Sequence, residues 1–222
     1  MNILGLDTSS AASATCLLRS DGAAFEHRPD PAELGAPPAH ARDLLLAVER
    51  VRQGAEVDWG EVGALAVGVG PGMFTGLRIG VATARALAQA RAIPVRPVSS
   101  LRALAAGIEA RVALPLIDAR RGELFAALYR DGEELWSPLA ASPEAIVERL
   151  AEGGLRPRAA GDGSLRSREA LEAAGVEVAP GDSPEHVVRA LHVCRLAAGS
   201  PDASPEAVMP MYLREPDARP LS

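Results

Sequence analysis

Apolar positions at the start of the chain fall in short strand-like stretches. Asn2–Leu6 is one such stretch, Ser13–Arg19 is rich in β-formers, and Ala23–Arg28 resumes after the turn signal Ser20-Asp21-Gly22. A proline-rich loop from Pro29 to Pro38 ends the run. From His40 the period becomes helical: Ala41, Leu44, Leu45, Val48 and Val51 share a face, with Arg42, Asp43, Glu49 and Arg50 off it. Val62–Val69 is nearly all apolar, as expected of a strand buried on both sides. It runs into the loop Gly70-Pro71-Gly72-Met73-Phe74-Thr75, followed by a helix from Thr75 to Arg91. Pro94–Val98 predicts another strand, and a short helix follows Ser99.

The order β-β-β-α-β-α-β-α over residues 1–107 is that of a ribonuclease-H-like half-domain. Strands return at Val112–Ile117 and at Leu124–Tyr129, the latter closed by Asp131-Gly132. A helix capped by Ser142-Pro143-Glu144 comes next. Gly161-Asp162-Gly163 marks a turn before a helix near Leu165–Ala174, and Pro184–Ala198 reads as the last long helix. The expected class is therefore α/β, with two half-domains of mixed sheets flanked by helices. A smaller second half-domain is placed at 108–200, and a proline-rich tail at 201–222 along the surface.

Composition changes this picture little. With 48% hydrophobic and 23% charged residues, the 222-residue chain has ordinary globular proportions. Aromatics are only 3%, so Ala, Leu and Val must fill the core at close packing distances. A net charge of −6 argues against a chain that grips phosphate backbones by itself. The cluster Arg156, Arg158, Arg166 and Arg168 reads as solvated surface. Cys16 and Cys194 fit no ligand spacing and are expected buried and reduced. No basic leader and no apolar run of membrane length occur, so a soluble cytoplasmic protein is expected.

Candidate chemistry gathers at two places. A strand ending in Asp7-Thr8-Ser9-Ser10 sets a carboxylate, hydroxyls and turn amides at the sheet's carboxyl edge. Proteins of the actin–hexokinase–Hsp70 type hold a nucleotide phosphate and its metal there; capping a turn is the plainer use. The loop at Gly70 and Gly72 has the strand–loop–helix setting that aims amides at an anion, and Thr75 adds a hydroxyl. It fails both the Walker and the dinucleotide pattern. Asp7, Thr8, Ser9, Gly70, Gly72 and Thr75 are thus a candidate nucleotide or anion turn. Gly76, Gly80, Ala84 and Ala88 form a smooth stripe on the next helix, suited to close approach by its own sheet or by another chain, and are the candidate partner or dimer interface. His27, His40, His186 and His192 share no metal-ligand spacing, and Asp118 and Glu123 flank an Arg-Arg-Gly turn that would hold them in salt bridges. No catalytic constellation and no metal site are visible.

Gly70-Pro71-Gly72-Met73-Phe74-Thr75-Gly76-Leu77-Arg78-Ile79-Gly80 resembles the hallmark of the TsaB (YeaZ) family. Ile3–Ser9, His40, Asp118–Glu123 and Pro210–Arg214 agree with it in order along the chain. Met73 departs, since the family commonly has Ser there. The resemblance implies the actin-like ATPase fold and a non-catalytic role beside a TsaD-like subunit and a TsaE-like ATPase. That assembly transfers a threonylcarbamoyl group to the adenosine beside the anticodon of tRNAs reading codons that begin with A. It also implies self-pairing as a homodimer, tRNA contact only through the complex, and no cofactor of its own beyond ATP or ADP at the partner junction. TsaD carries a metal-binding His-x-x-x-His where this chain has Ser100 and Leu104, which cannot replace imidazole. The alternative is a free-standing ATP-dependent kinase of the same fold. The glycoprotease label used for this family finds no nucleophile–base pair here.

Overall fold

The computed structural model describes residues 1–213; the end of the expected tail, from Arg214 on, lies outside the described residues. In chain order the first half runs β1 (Asn2–Asp7), β2 (Ala14–Leu18), β3 (Ala24–His27), α1 (His40–Gly54), β4 (Val62–Gly68), α2 (Phe74–Arg91), β5 (Val95–Val98) and α3 (Ser100–Ala105). The second half continues with β6 (Val112–Arg120), β7 (Glu123–Arg130), β8 (Glu133–Ala141), α4 (Pro143–Glu152), β9 (Arg158–Ala160), α5 (Asp162–Arg166), α6 (Arg168–Ala173) and β10 (Glu177–Val178). The last α-helix of the described residues is α7 (Ala190–Ala198).

The strands form two five-stranded mixed sheets, ordered β3-β2-β1-β4-β5 and β10-β9-β6-β7-β8. In the first sheet β1 pairs antiparallel with β2 and parallel with β4, and β4 is parallel to β5. The second repeats the scheme: β6 is antiparallel to β7 and parallel to β9. Both sheets thus share one plan, a central strand flanked by a hairpin on one side and parallel crossover strands on the other. Leu4, Leu6, Leu65 and Val67 pack under α1 and α2, while Leu114, Leu116, Leu128 and Trp136 pack with α4 and α6. Between the sheets, α3 and α7 share one core with Ile3 and Cys16 on one side and Ile117 and Phe125 on the other.

Three expectations change. The last helix does not run from Pro184; a 3-10 turn at Pro184–His186, capped by Ser183, precedes α7. The helix expected near Leu165–Ala174 is split at Ser167 into α5 and α6. The half-domain boundary also moves, because α7 packs on the first sheet. Cys194 lies under Gly5, where a Cβ would come within 2.4 Å of its sulfur, and Arg189 pairs with Glu26 of β3 at 2.7 Å. Residues past α7 follow it: Ala203 bridges to Val95, and the Met211 N–H donates to the Val69 carbonyl at 2.7 Å. A sheet carrying Ile3, Cys16 and Ala66 on its second face must have that face covered, and the Ala- and Leu-rich α7 covers it. The first half is therefore built from 2–107 together with 190–213. Both cysteines are free and buried, as expected.

The contact between Gly5 and Cys194 leaves no room for a methyl group. Gly5→Ala is expected to lower stability by about 1–3 kcal/mol, the usual cost of overpacking. Adding Cys194→Ala should restore part of the loss, leaving the crowding of the Ala190 carbonyl, 3.1 Å from the new Cβ. Denaturant unfolding of the four members of this cycle measures the coupling; additive losses would mean that the two positions do not touch.

Candidate functional site

β1 ends on Asp7, which is only 1% exposed. Its Oδ1 accepts from the Ser9 N–H at 2.8 Å and the Ser9 hydroxyl at 2.6 Å. Its Oδ2 accepts from the Ser100 hydroxyl at 2.6 Å. Ser100 opens α3, and its oxygen accepts from the Gly70 N–H at 3.1 Å while its own N–H donates to the Gly70 carbonyl at 2.8 Å. Asp7 thereby joins β1, the glycine loop and α3. Gly68 must be glycine here, because a Cβ would lie 1.7 Å from Asp7 Oδ2. Burial pushes the Asp7 carboxyl above its ordinary range, opposed by the hydrogen bonds from Ser100 and Ser9.

The glycine loop and α2 sit on the same turn. The Met73 N–H donates to the Ser9 carbonyl and the Thr8 hydroxyl to the Gly76 carbonyl, each at 2.7 Å. A Cβ at Gly72 would lie 2.4 Å from the Ser9 oxygen, and one at Gly76 2.1 Å from the Thr8 oxygen. At Gly80 it would lie 2.2 Å from Thr8 Oγ1. His40, buried at the start of α1, closes the side of the junction with Nδ1 2.7 Å from the Ser13 hydroxyl. Desolvation lowers its pKa.

Asp7, Thr8, Ser9, Gly70 and Gly72 therefore do come together, as the sequence suggests. Their polar groups, however, face one another rather than a ligand. Thr75 stands apart, exposed in the first turn of α2. The smooth stripe is corrected outright: Gly76 and Gly80 press on Thr8, and Ala84 and Ala88 are fully buried against the first sheet. Small side chains let α2 approach its own sheet and leave nothing of the stripe for another chain. The helix α1 is turned differently from expectation as well, since Leu45 is 58% exposed, beside Leu46 at 57%. Sequence reasoning missed the role of Ser100, although its place directly after β5 was available as a signal.

Across the cleft, the β6–β7 turn carries the other carboxylates. Asp118 Oδ1 accepts from the Arg120 N–H at 2.8 Å, and its Oδ2 lies 3.2 Å from both Arg120 and Arg166. Asp162 Oδ1 accepts from the Asp118 N–H at 3.0 Å. Burial is the main cause that raises the Asp162 carboxyl to about 6, and the Asp118 charge adds to it. The two half-domains touch here, with Arg120 3.9 Å from the Met73 sulfur. Three of the four arginines grouped in the sequence form separate ion pairs: Arg158 with Glu177 and Glu185, Arg166 with Asp118, Arg168 with Glu172. Of the two positions set against the metal-binding pair of TsaD, Ser100 is bonded to Asp7, and Leu104 is buried beneath Gly161.

A family model described as TsaD, tRNA N6-adenosine threonylcarbamoyltransferase, matches residues 35–165. An uncharacterized protein of Mycobacterium leprae is 33% identical over 231 residues, covering 99% of this chain and 56% of its own length. The tRNA threonylcarbamoyladenosine biosynthesis protein TsaB of Escherichia coli is 35% identical, covering 68% of this chain and 66% of its own. The chain thus spans less than two thirds of the length of these two relatives. A solved structure from Pseudomonas aeruginosa, of an uncharacterized protein with similarity to the peptidase YeaZ, superposes with a TM-score of 0.79 at 30% identity, over 96% of this chain and 99% of that one.

Two outcomes follow from this geometry. Ala84→Arg should abolish cooperative folding, because a guanidinium would enter the core between α2 and β1 with no partner. A folded variant by circular dichroism and gel filtration would return the stripe to the surface. Asp162, with a folded pKa above its unfolded 3.8, favours folding when protonated. That contribution is full below pH 3.8 and is lost as pH rises to about 6, a change of at most about 3 kcal/mol. Asp162→Asn keeps an acceptor for Asp118 and should flatten stability across that window in urea titrations.

Proposed function

This chain belongs to the TsaB family of tRNA threonylcarbamoyladenosine biosynthesis proteins, and we propose that it serves that modification as an accessory subunit without catalytic groups of its own. In this reading it binds and positions a TsaD-like catalytic subunit, works beside a TsaE-like ATPase, and meets tRNA only through the complex. The observation that carries the reading is the state of the Asp7 turn. Both carboxylate oxygens are taken by Ser9 and Ser100, and the glycine loop is seated on the Ser9 carbonyl. A kinase of this fold needs that carboxylate and those amides open to a phosphate and its metal. Here they act as a strut, which speaks against the kinase alternative. A nucleotide at the partner junction would have Thr75 and the first turn of α2 available to it, not Asp7.

The surface we assign to the partner is the outward side of α1 and α2. Leu45 and Leu46 stand in solvent on α1, and Ala82, Ala86 and Ala90 are exposed on α2. Exposed leucines beside small side chains give an apolar layer that another pair of helices can cover. The same face serves self-pairing when the catalytic subunit is absent, so the two states compete. Peptidase activity is not part of this reading.

The experiment is co-purification of the chain with the TsaD-like protein of its own host, together with its solution mass alone. Leu45→Arg with Ala82→Arg should leave a folded monomer that loses the complex, with affinity reduced at least about a hundredfold, the scale of a buried interface hot spot. tRNA modification reconstituted with the other proteins should fall in parallel. A doubly substituted chain that still binds would place the contact elsewhere, and modification by this chain alone would end the accessory reading.

A further inference from the structure

Along α2, large apolar side chains stand in solvent: Phe74 is 36% exposed, and Tyr212 and Met209, on the segment beside the helix, are 41% and 62% exposed. They are tied to two arginines of one helix face. The Arg78 guanidinium lies over the Phe74 ring, 3.8 Å from its centroid, and its Nε–H donates to the Tyr212 hydroxyl at 3.2 Å. The Phe74 and Tyr212 ring centroids are 5.1 Å apart. Arg85, two turns further along the same face, reaches the Met209 sulfur at 3.8 Å. Exposed Ala82 lies between the arginines, so the strip is low in its middle and cationic on either side.

Neither arginine forms an ion pair among the described residues, whereas Arg96, Arg158 and Arg189 each find a carboxylate. Acids of the neighbouring α1 are committed elsewhere, Asp43 to Arg42 and Glu49 to Arg52. The chain as a whole carries a net charge of −6, so a cationic strip runs against its average. Ring and hydroxyl hold the plane of Arg78, which leaves its terminal N–H groups aimed outward with little freedom to lose on meeting a carboxylate. A nucleobase gains less here, because the guanidinium already covers a face of Phe74 on which it would stack.

We propose that this strip chooses the partner: it receives an amphipathic helix of the catalytic subunit that carries two carboxylates about 10 Å apart, the rise of two turns. The inference rests on the accessory reading above and gives its surface a rule of selection. Two-fold self-pairing through this face lays arginines against arginines, whereas an acidic helix neutralises both. The same two charges therefore hold the complex together and keep the self-paired state weak.

The test removes both charges with Arg78→Gln and Arg85→Gln, and keeps them in a second chain with Arg78→Lys and Arg85→Lys. Calorimetry follows binding to the TsaD-like protein of the same host, and sedimentation follows self-association; circular dichroism checks that both variants are folded. The glutamine pair should weaken the complex at least about tenfold, the low end for close charge pairs across an interface. It should also tighten self-association. The lysine pair should stay closer to the unsubstituted chain in both measurements. Raising salt from about 50 mM to about 500 mM should move the unsubstituted chain in the same two directions, a test that needs no substitution. Weakening of both associations together would make the arginines simple packing groups and overturn the proposal. Binding of tRNA by the chain alone, lost in the glutamine pair, would give the strip to nucleic acid and overturn it as well. If the unsubstituted chain does not bind the TsaD-like protein, the accessory reading fails and this inference with it. If it binds and the glutamine pair binds equally well, only this inference fails.

Discussion

Everything in the first half-domain hangs on how closely α2 lies against the turn that follows β1. The loop and helix carry no side chain of their own at the contacts; their backbone at Gly72, Gly76 and Gly80 rests on the carbonyls of Ser9 and Thr8 and on the Thr8 hydroxyl. Such proximity places many backbone polar groups out of water at once, and each needs a partner. Thr8, Ser9, Ser100 and Asp7 provide the partners. Adding even one Cβ would push the helix off the sheet and expose or orphan several of these groups together. The glycines and the buried acid are thus one device, and neither half of it makes sense without the other.

That device explains why the same residues invite a catalytic reading. An acid at the end of a central strand, next to a glycine loop and a helix start, has the layout of a phosphate site. What separates the two uses is whether the amides and the carboxylate point at empty space or at each other. In this chain they point at each other, and α2 is seated directly on the turn.

The sequence made the strands and their succession along the chain legible as far as alternation and turn signals reach. β1 through β5 stand close to where the pattern puts them, and so do α1 and α2. β8 was not legible because only Trp136 is buried along it and Pro138 interrupts it, so its pattern is that of an edge strand without a period. β9 and β10, at three and two residues, are too short to carry one. Of the candidate site, the residues were legible but their orientation was not. Spacing says that Gly76, Gly80, Ala84 and Ala88 share a face; only packing says which neighbour that face meets. Leu45 was assigned to the buried face for the same reason, since an apolar residue one step off the stripe reads as core until a sheet is set beside it.

The return of α7 to the first sheet has a consequence for how the chain is made. Gly5 touches Cys194, so a contact at the heart of that sheet joins residues at nearly opposite ends of the sequence. Strands emerging early from the ribosome have one face covered by α1 and α2 soon after synthesis, while the other face waits for a helix translated much later. At about 5–20 residues per second, that interval is on the order of ten seconds or more. During it the nascent sheet exposes Ile3, Cys16 and Ala66 to whatever is nearby. A nascent chain of this topology therefore has reason to be met by a chaperone, and its slowest folding event should be closure at long range rather than formation of any one helix.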